Sequence, residues 1–254
     1  MEQEKSIISE AAPKKPKLTP TLEILETAIG IWWKNLIKFV KIYLWGFAYA
    51  LIPLVIMALI AIFSIWRGGD MAVSLKVSFV IISFVSILFV IYYSIRAYTG
   101  IFLLVKNNYE GNELTLFKEA KKFVFPYIGL ALLTALFIIL WSLLLIIPGI
   151  IFSVFYSFAI YAFFFEGKKG LAAIKRSKQL VKDYFWAVFG RLIFSGIVIW
   201  LFTMIISTPL LMVPEKSFFW EIWNGVVQLV SILTGPIVLI FSYQIYQDLV
   251  RIKK

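Results

Sequence analysis

The sequence predicts an all-α polytopic integral membrane protein with six transmembrane helices, and three observations predict it. Apolar residues make up 61% of the chain and charged residues only 15%, against about 45–50% and about 25% in a soluble domain. The apolar residues gather into runs long enough to cross a bilayer. The basic residues behind the net charge of +11 stand beside those runs, where membrane orientation and anionic headgroups account for them better than nucleic acid does.

The elements follow in order. Residues 1–20, with Lys14, Lys15 and Lys17, read as a disordered basic cytosolic tail, and 21–254 as a single membrane domain. No secretory leader is expected, because the first long apolar run starts only near Ile42. Thr19-Pro20 supplies an N-cap and a first-turn proline. From Leu22 the spacing is helical: Leu22, Leu25, Ile29, Trp32, Trp33, Leu36, Phe39 and Val40 against Glu23, Thr27, Lys34, Lys38 and Lys41. This predicts an interfacial helix with the tryptophan pair at headgroup level. Spans are expected at about 42–66, 77–105, 123–147, 150–165, 187–213 and 222–247. Pro53 predicts a kink in the first, and Arg67 to Asp70 a turn after it. Polar residues 106–122 predict a second short surface helix, and Leu171 to Phe185 a third. In the third, Ala173, Ile174, Ser177, Leu180, Val181, Tyr184 and Phe185 share the apolar side. An amphipathic segment thus precedes a pair of spans three times, which is either a parallel repeat or ordinary patterning beside a membrane.

Pro148-Gly149 is either a kink in one long helix or a tight turn between two. Charge decides. With a turn, both termini share a side with Lys34, Lys38, Lys41, Lys106, Lys118, Lys121, Lys122, Lys168, Lys169, Lys175, Arg176, Lys178, Lys182 and Arg251. The opposite side then keeps only Arg67, Lys76 and Lys216. The positive-inside rule selects the turn, six spans and cytosolic termini, and a plasma-membrane protein is expected.

One stretch carries a resemblance. Pro148-Gly149-Ile150-Ile151-Phe152, the aromatic run through Tyr161, Glu166-Gly167, then Ala172-Ala173-Ile174-Lys175-Arg176-Ser177 with Gly190 further on, make up a recurring motif. It resembles the membrane domain of the glycerophosphoryl diester phosphodiesterase family and related six-helix membrane families. The motif spans roughly 45 residues, and the hydropathy plan extends over most of the rest. The resemblance implies a membrane module. It does not imply phosphodiesterase activity, because the hydrolase domain that accompanies some family members needs histidine, and this chain has none.

The absence of histidine and cysteine removes the commonest general bases, thiolate ligands and nucleophiles. No carboxylate falls within a span core. No catalytic, cofactor or metal residue is therefore expected, and the chain is read as not an enzyme. The candidates are of three other kinds. Lys168, Lys169, Lys175, Arg176, Lys178 and Lys182 are expected to meet anionic lipid headgroups. Arg96 and Arg191 either snorkel to the interface or form a buried site, with Glu166 at the right level to pair with one of them. Asn224, Gln228 and Ser231 form a polar stripe at i, i+4, i+7, just before a break expected at Thr234-Gly235-Pro236. Such a stripe either joins helices or lines a pathway. Pro53, Pro148, Gly149, Gly235 and Pro236 are the expected turns and kinks. The leading expectation is a module that organises lipid, a membrane partner or a second copy through its basic face. The alternative is a small transporter with a path near spans five and six.

Overall fold

The computed structural model describes residues 18–66, 73–215 and 217–253. The tail expected at 1–17, the turn Arg67 to Asp70, the side chain of Lys76, and Lys216 and Lys254 lie outside what is described. The described chain is helical throughout: α1 Thr21–Ala50, α2 Ile52–Trp66, α3 Val73–Lys106, α4 Glu113–Leu144, α5 Ile146–Tyr156, α6 Ala159–Glu166, α7 Leu171–Val181, α8 Phe185–Ser207, a 3-10 turn Thr208–Met212, and α9 Phe218–Ile252. Six stretches are long and apolar enough to cross a membrane: Thr21–Phe63, α3, α4, α5 with α6, α8 with its 3-10 turn, and α9. The architecture fits a multi-pass membrane protein.

The passes alternate in direction, and the described ends of the chain meet. The Thr19 N–H donates to Asp248 Oδ2 at 2.9 Å, and Arg191 Nη2 donates to the Thr19 carbonyl at 2.7 Å. This end of the bundle is called basal here. Thr19 is thus tied to α8 and α9 by its backbone and caps nothing with its side chain.

Two of the expected surface helices are the first turns of longer ones. Residues 22–40 run without interruption into α1, and 113–122 into α4, because nothing at Lys41-Ile42 or Lys122-Phe123 breaks the backbone. The buried seam of α1 is Ile24, Ala28, Asn35, Phe39, Ile42 and Gly46, which shares Phe39 with the face drawn from hydropathy and leaves Leu25, Leu36 and Val40 of that face half-buried. Leu22, Ile29 and Trp33 point outward. Trp32 turns inward, where its indole N–H donates to the Leu233 carbonyl of α9 at 2.8 Å. At Pro53 the helix assignment is interrupted only at Leu51, whose backbone stays helical (φ −73°, ψ −20°) with its N–H on the Phe47 carbonyl, and the proline stands in the first turn of α2.

The hairpin between α4 and α5 is present, but its corner is Leu145, with extended backbone (φ −163°, ψ 145°). Pro148 and Gly149 lie inside the first turns of α5. A proline is accepted there, as it is in the first turn of α2. Gly149 permits the two helices to close on each other. A Cβ at that position would stand 2.9 Å from Ser142 Cβ and 3.0 Å from Ser142 Cα, too close for any larger residue to fit without movement.

The expected break in the last span is absent. α9 continues through Gly235 and Pro236 as one helix of 35 residues. Thr234 and Pro236 are buried there, so packing on both sides of the proline holds the axis.

The buried core sits toward the basal end: Phe39 and Ile42 of α1, Ile101 and Phe102 of α3, Phe117 and Ala120 of α4, Phe158 to Phe164 around α6, and Ile237 to Leu249 of α9. Phe102 stacks on Phe164 with centroids 4.5 Å apart, and Phe165 on Tyr243 at 4.2 Å. Toward the opposite, distal end the outward faces are apolar. Leu136, Ile139 and Leu143, then Ile197 and Trp200, then Ile222 and Leu229 are all exposed. An apolar core under an apolar surface is what a bilayer requires.

Candidate functional site

The span made of α5 and α6 is interrupted at Ser157-Phe158, and α7 fills the interruption. The Ser177 hydroxyl donates to the Phe155 carbonyl at 2.6 Å and accepts the Phe158 N–H at 3.0 Å. Both backbone groups lost their helical partners when the helix broke, and one fully buried serine satisfies both. Around it, Ala173, Ile174, Leu180 and Val181 are buried as the helical period predicts.

The link from α6 to α7 sets the rest. Gly167 closes α6 in the left-handed region (φ +70°), and the Lys168 N–H reaches back to the Ala162 carbonyl at 3.2 Å. This fold-back brings Glu166 opposite Arg176, ten positions along the chain. Arg176 Nε lies 2.9 Å from both carboxylate oxygens. The Tyr246 hydroxyl of α9 donates to Oε1 at 2.8 Å, and Lys168 Nζ stands 3.3 Å from Oε2. The carboxylate accepts from three side chains at once and joins α6, α7 and α9. It is a clamp, with little acceptor capacity left for a ligand proton.

Beside it lies a cleft of about 740 Å³, lined among others by Thr19, Phe165, Glu166, Tyr243, Tyr246 and Asp248. Asp248 is buried and accepts from the Thr19 N–H and from Arg251 Nη2, each at 2.9 Å. The cleft therefore lies where both ends of the described chain meet three helices.

The six basic candidates separate into two groups. Arg176 and Lys168 are drawn onto Glu166. Lys169, Lys175, Lys178 and Lys182 are exposed on the outward side of α7 and its approach. Lys178 also lies over the Phe152 ring, 5.2 Å from its centroid. The four outward lysines stand on a helix whose opposite face is sealed, so their spacing is fixed by the fold.

The arginines expected to pair with Glu166 do not. Arg96 donates from Nε to the Phe117 carbonyl at 2.9 Å and stacks on the Phe117 ring, 4.4 Å from its centroid. It links α3 to α4. Arg191 binds the Thr19 carbonyl instead, and its Nε is buried without a partner. Arg96 is held at the contact of α3 with α4 and Arg191 at Thr19, while Arg176, Lys168 and Tyr246 occupy Glu166.

Asn224, Gln228 and Ser231 do share a face of α9, but it turns outward: Gln228 and Ser231 are exposed and Asn224 is half-buried. These residues, Arg96 and Arg191 do not converge on a common path within one chain. Tyr246, Asp248 and Ser177 carry the basal site, and sequence reading assigned none of them that role. For Ser177 a signal existed: a lone hydroxyl amid Ala, Ile, Leu and Val on a buried helix face needs a backbone partner.

Comparison of the chain with protein-family models, with curated proteins and with solved structures finds no match.

Proposed function

We propose that the chain is a non-enzymatic membrane module that gathers anionic lipid headgroups at its basal face. The observation that carries this reading is the docking of α7. Ser177 and the Glu166 clamp hold the helix in place, and Lys169, Lys175 and Lys182 are exposed on its outward side, as is Lys178, whose ammonium also lies over the Phe152 and Phe155 rings. Each lysine near an anionic surface contributes about 1 kcal/mol. The nearby acids are each paired with a cation outside the four lysines, Glu166 with Arg176, Asp248 with Arg251 and the exposed Asp183 with Lys253 at 2.9 Å. In this reading the resemblance to the membrane domain of the glycerophosphoryl diester phosphodiesterase family stands for a membrane architecture alone. Basal lysines and both termini lie in the cytosol, and the membrane is the plasma membrane.

Two measurements test it. The protein purified in mild detergent from mixed vesicles of phosphatidylcholine and phosphatidylglycerol should retain phosphatidylglycerol above its bulk fraction. The combined variant K169Q/K175Q/K178Q/K182Q should return the retained phosphatidylglycerol close to its bulk fraction, because four contacts of about 1 kcal/mol each are lost. Equal enrichment in both proteins defeats the proposal. For sidedness, the cysteine-free chain allows single thiols at Lys182 and Ser217. A membrane-impermeant reagent on intact cells should label Ser217→Cys and spare Lys182→Cys until permeabilisation. The reverse pattern overturns the orientation.

A further inference from the structure

We infer that two copies of this chain pair through the outward face of α9, with Gln228 of one copy hydrogen-bonded to Gln228 of the other. The inference rests on the reading of α9 as a membrane span.

Outward-facing hydroxyls along the spans are satisfied by their own helices. Ser142 bonds to the Ile138 carbonyl, Ser153 to Ile150, Thr203 to Ile199 and Ser231 to Val227, all within 2.7–2.9 Å. Amides differ. A glutamine has two N–H donors and a carbonyl acceptor, which a neighbouring turn cannot satisfy together. Gln228 is exposed and makes no hydrogen bond with any described residue, and the same holds for half-buried Asn224 one turn earlier.

Their depth makes this costly. Gln228 lies eleven residues beyond Ser217, the N-cap of α9, or about 16 Å at 1.5 Å per residue. That places it inside a hydrocarbon layer of about 30 Å. An unpaired amide in hydrocarbon costs several kcal/mol. The other sides of α9 are occupied: Trp223 donates to the Ile206 carbonyl of α8 at 2.9 Å, and Trp32 of α1 bonds to Leu233. The stripe is the side that remains. Gly225, beside Asn224 and one turn before Gln228, has nothing within 4 Å of where a Cβ would stand, so a second helix can approach closely.

The occupant follows from symmetry. All copies of a membrane protein with one orientation share it, so a two-fold axis relating two of them runs along the membrane normal. Each residue then meets its own counterpart at the same depth. An amide is self-complementary in that arrangement: one carbonyl accepts from the other amide's N–H, and the reverse. A hydrocarbon chain offers neither group.

The test uses the absence of native cysteine. Ser231→Cys, one turn along the same stripe with Gln228 left intact, and as controls Ile197→Cys on α8 and Leu136→Cys on α4, both exposed apolar positions, are oxidised in native membranes after alkaline carbonate extraction. Carbonate-resistant chain shows that the membrane reading holds whatever the cross-linking result. The expected result is a covalent dimer from Ser231→Cys and none from the controls. In detergent, Gln228→Leu should weaken reversible dimerisation by roughly tenfold, while Gln228→Asn, which keeps an amide, loses less. Cross-links that are absent at position 231, equal at all three positions, or formed to a different protein overturn the pairing.

Discussion

Ser177→Val is expected to lower the unfolding midpoint of the detergent-solubilised protein more than any substitution on the outward face of α7. Valine matches threonine in shape and is larger than serine, so Ser177→Val and Ser177→Thr crowd the fully buried site alike and differ only in the hydroxyl. What is lost is the hydroxyl that serves the Phe155 carbonyl and the Phe158 N–H. Each buried backbone group left without a partner costs about 1–3 kcal/mol, so the variant should lose about 2–5 kcal/mol in an apolar setting. Ser177→Thr keeps the hydroxyl and should lose less, from crowding alone. Lys175→Gln on the outward side should change stability by no more than about 0.5 kcal/mol. Unfolding followed by tryptophan fluorescence ranks the three. If Ser177→Val unfolds with Lys175→Gln, the break at Ser157-Phe158 is not held by α7. The lysine array then has no fixed frame.

The contrast between these two positions shows what the sequence disclosed. The 3.6-residue period separates Ser177 from Lys175 and assigns each to the correct side of α7. The identity of the partner element is not periodic information. Nothing within 171–181 states that the apolar face meets a broken helix, because the break lies on another segment, in an aromatic run that reads as continuous. Arg176 is the same case. Its charge placed it with the lipid-facing lysines, yet the turn at Gly167 delivers a carboxylate to it. On α9, the spacing of Asn224, Gln228 and Ser231 was legible as a stripe, whereas its outward direction depends on where α1 and α8 pack. Proline was read as punctuation at Pro53, Pro148 and Pro236. The helix assignment is interrupted two residues before Pro53 and the corner stands three residues before Pro148, while α9 runs on through Pro236, which is buried. The number of spans survives these errors because it follows from charge sidedness and run length, which do not depend on any single turn.

Glu166→Gln should produce the second large effect. Glutamine keeps the shape and one acceptor oxygen but removes the charge that Arg176 and Lys168 share. Glu166 and Arg176 are each about one-fifth exposed, so neither is well solvated. Stripping one partner from a fully buried pair costs about 3–5 kcal/mol. Residual contact with solvent reduces that here to about 1–3 kcal/mol. Lys168 is 40% exposed and stands farther away at 3.3 Å, so Lys168→Gln should cost less than about 1 kcal/mol. The double variant Glu166→Gln/Arg176→Gln removes the stranded cation as well. It should be more stable than the sum of its single variants predicts, the mark of direct coupling in a double-mutant cycle. Tyr246→Phe supplies an independent reading, because it deletes only the bond from α9 and should cost about 1–3 kcal/mol, in the range for a hydrogen bond to a charged group. Strict additivity of the Glu166 and Arg176 variants would show that solvent screens the pair. The joint between α6, α7 and α9 would then rest on Ser177 and aromatic packing alone. Positive coupling places a single carboxylate at the centre of the basal face, holding inward the two cations that lipid would otherwise compete for and leaving the four lysines free to meet headgroups.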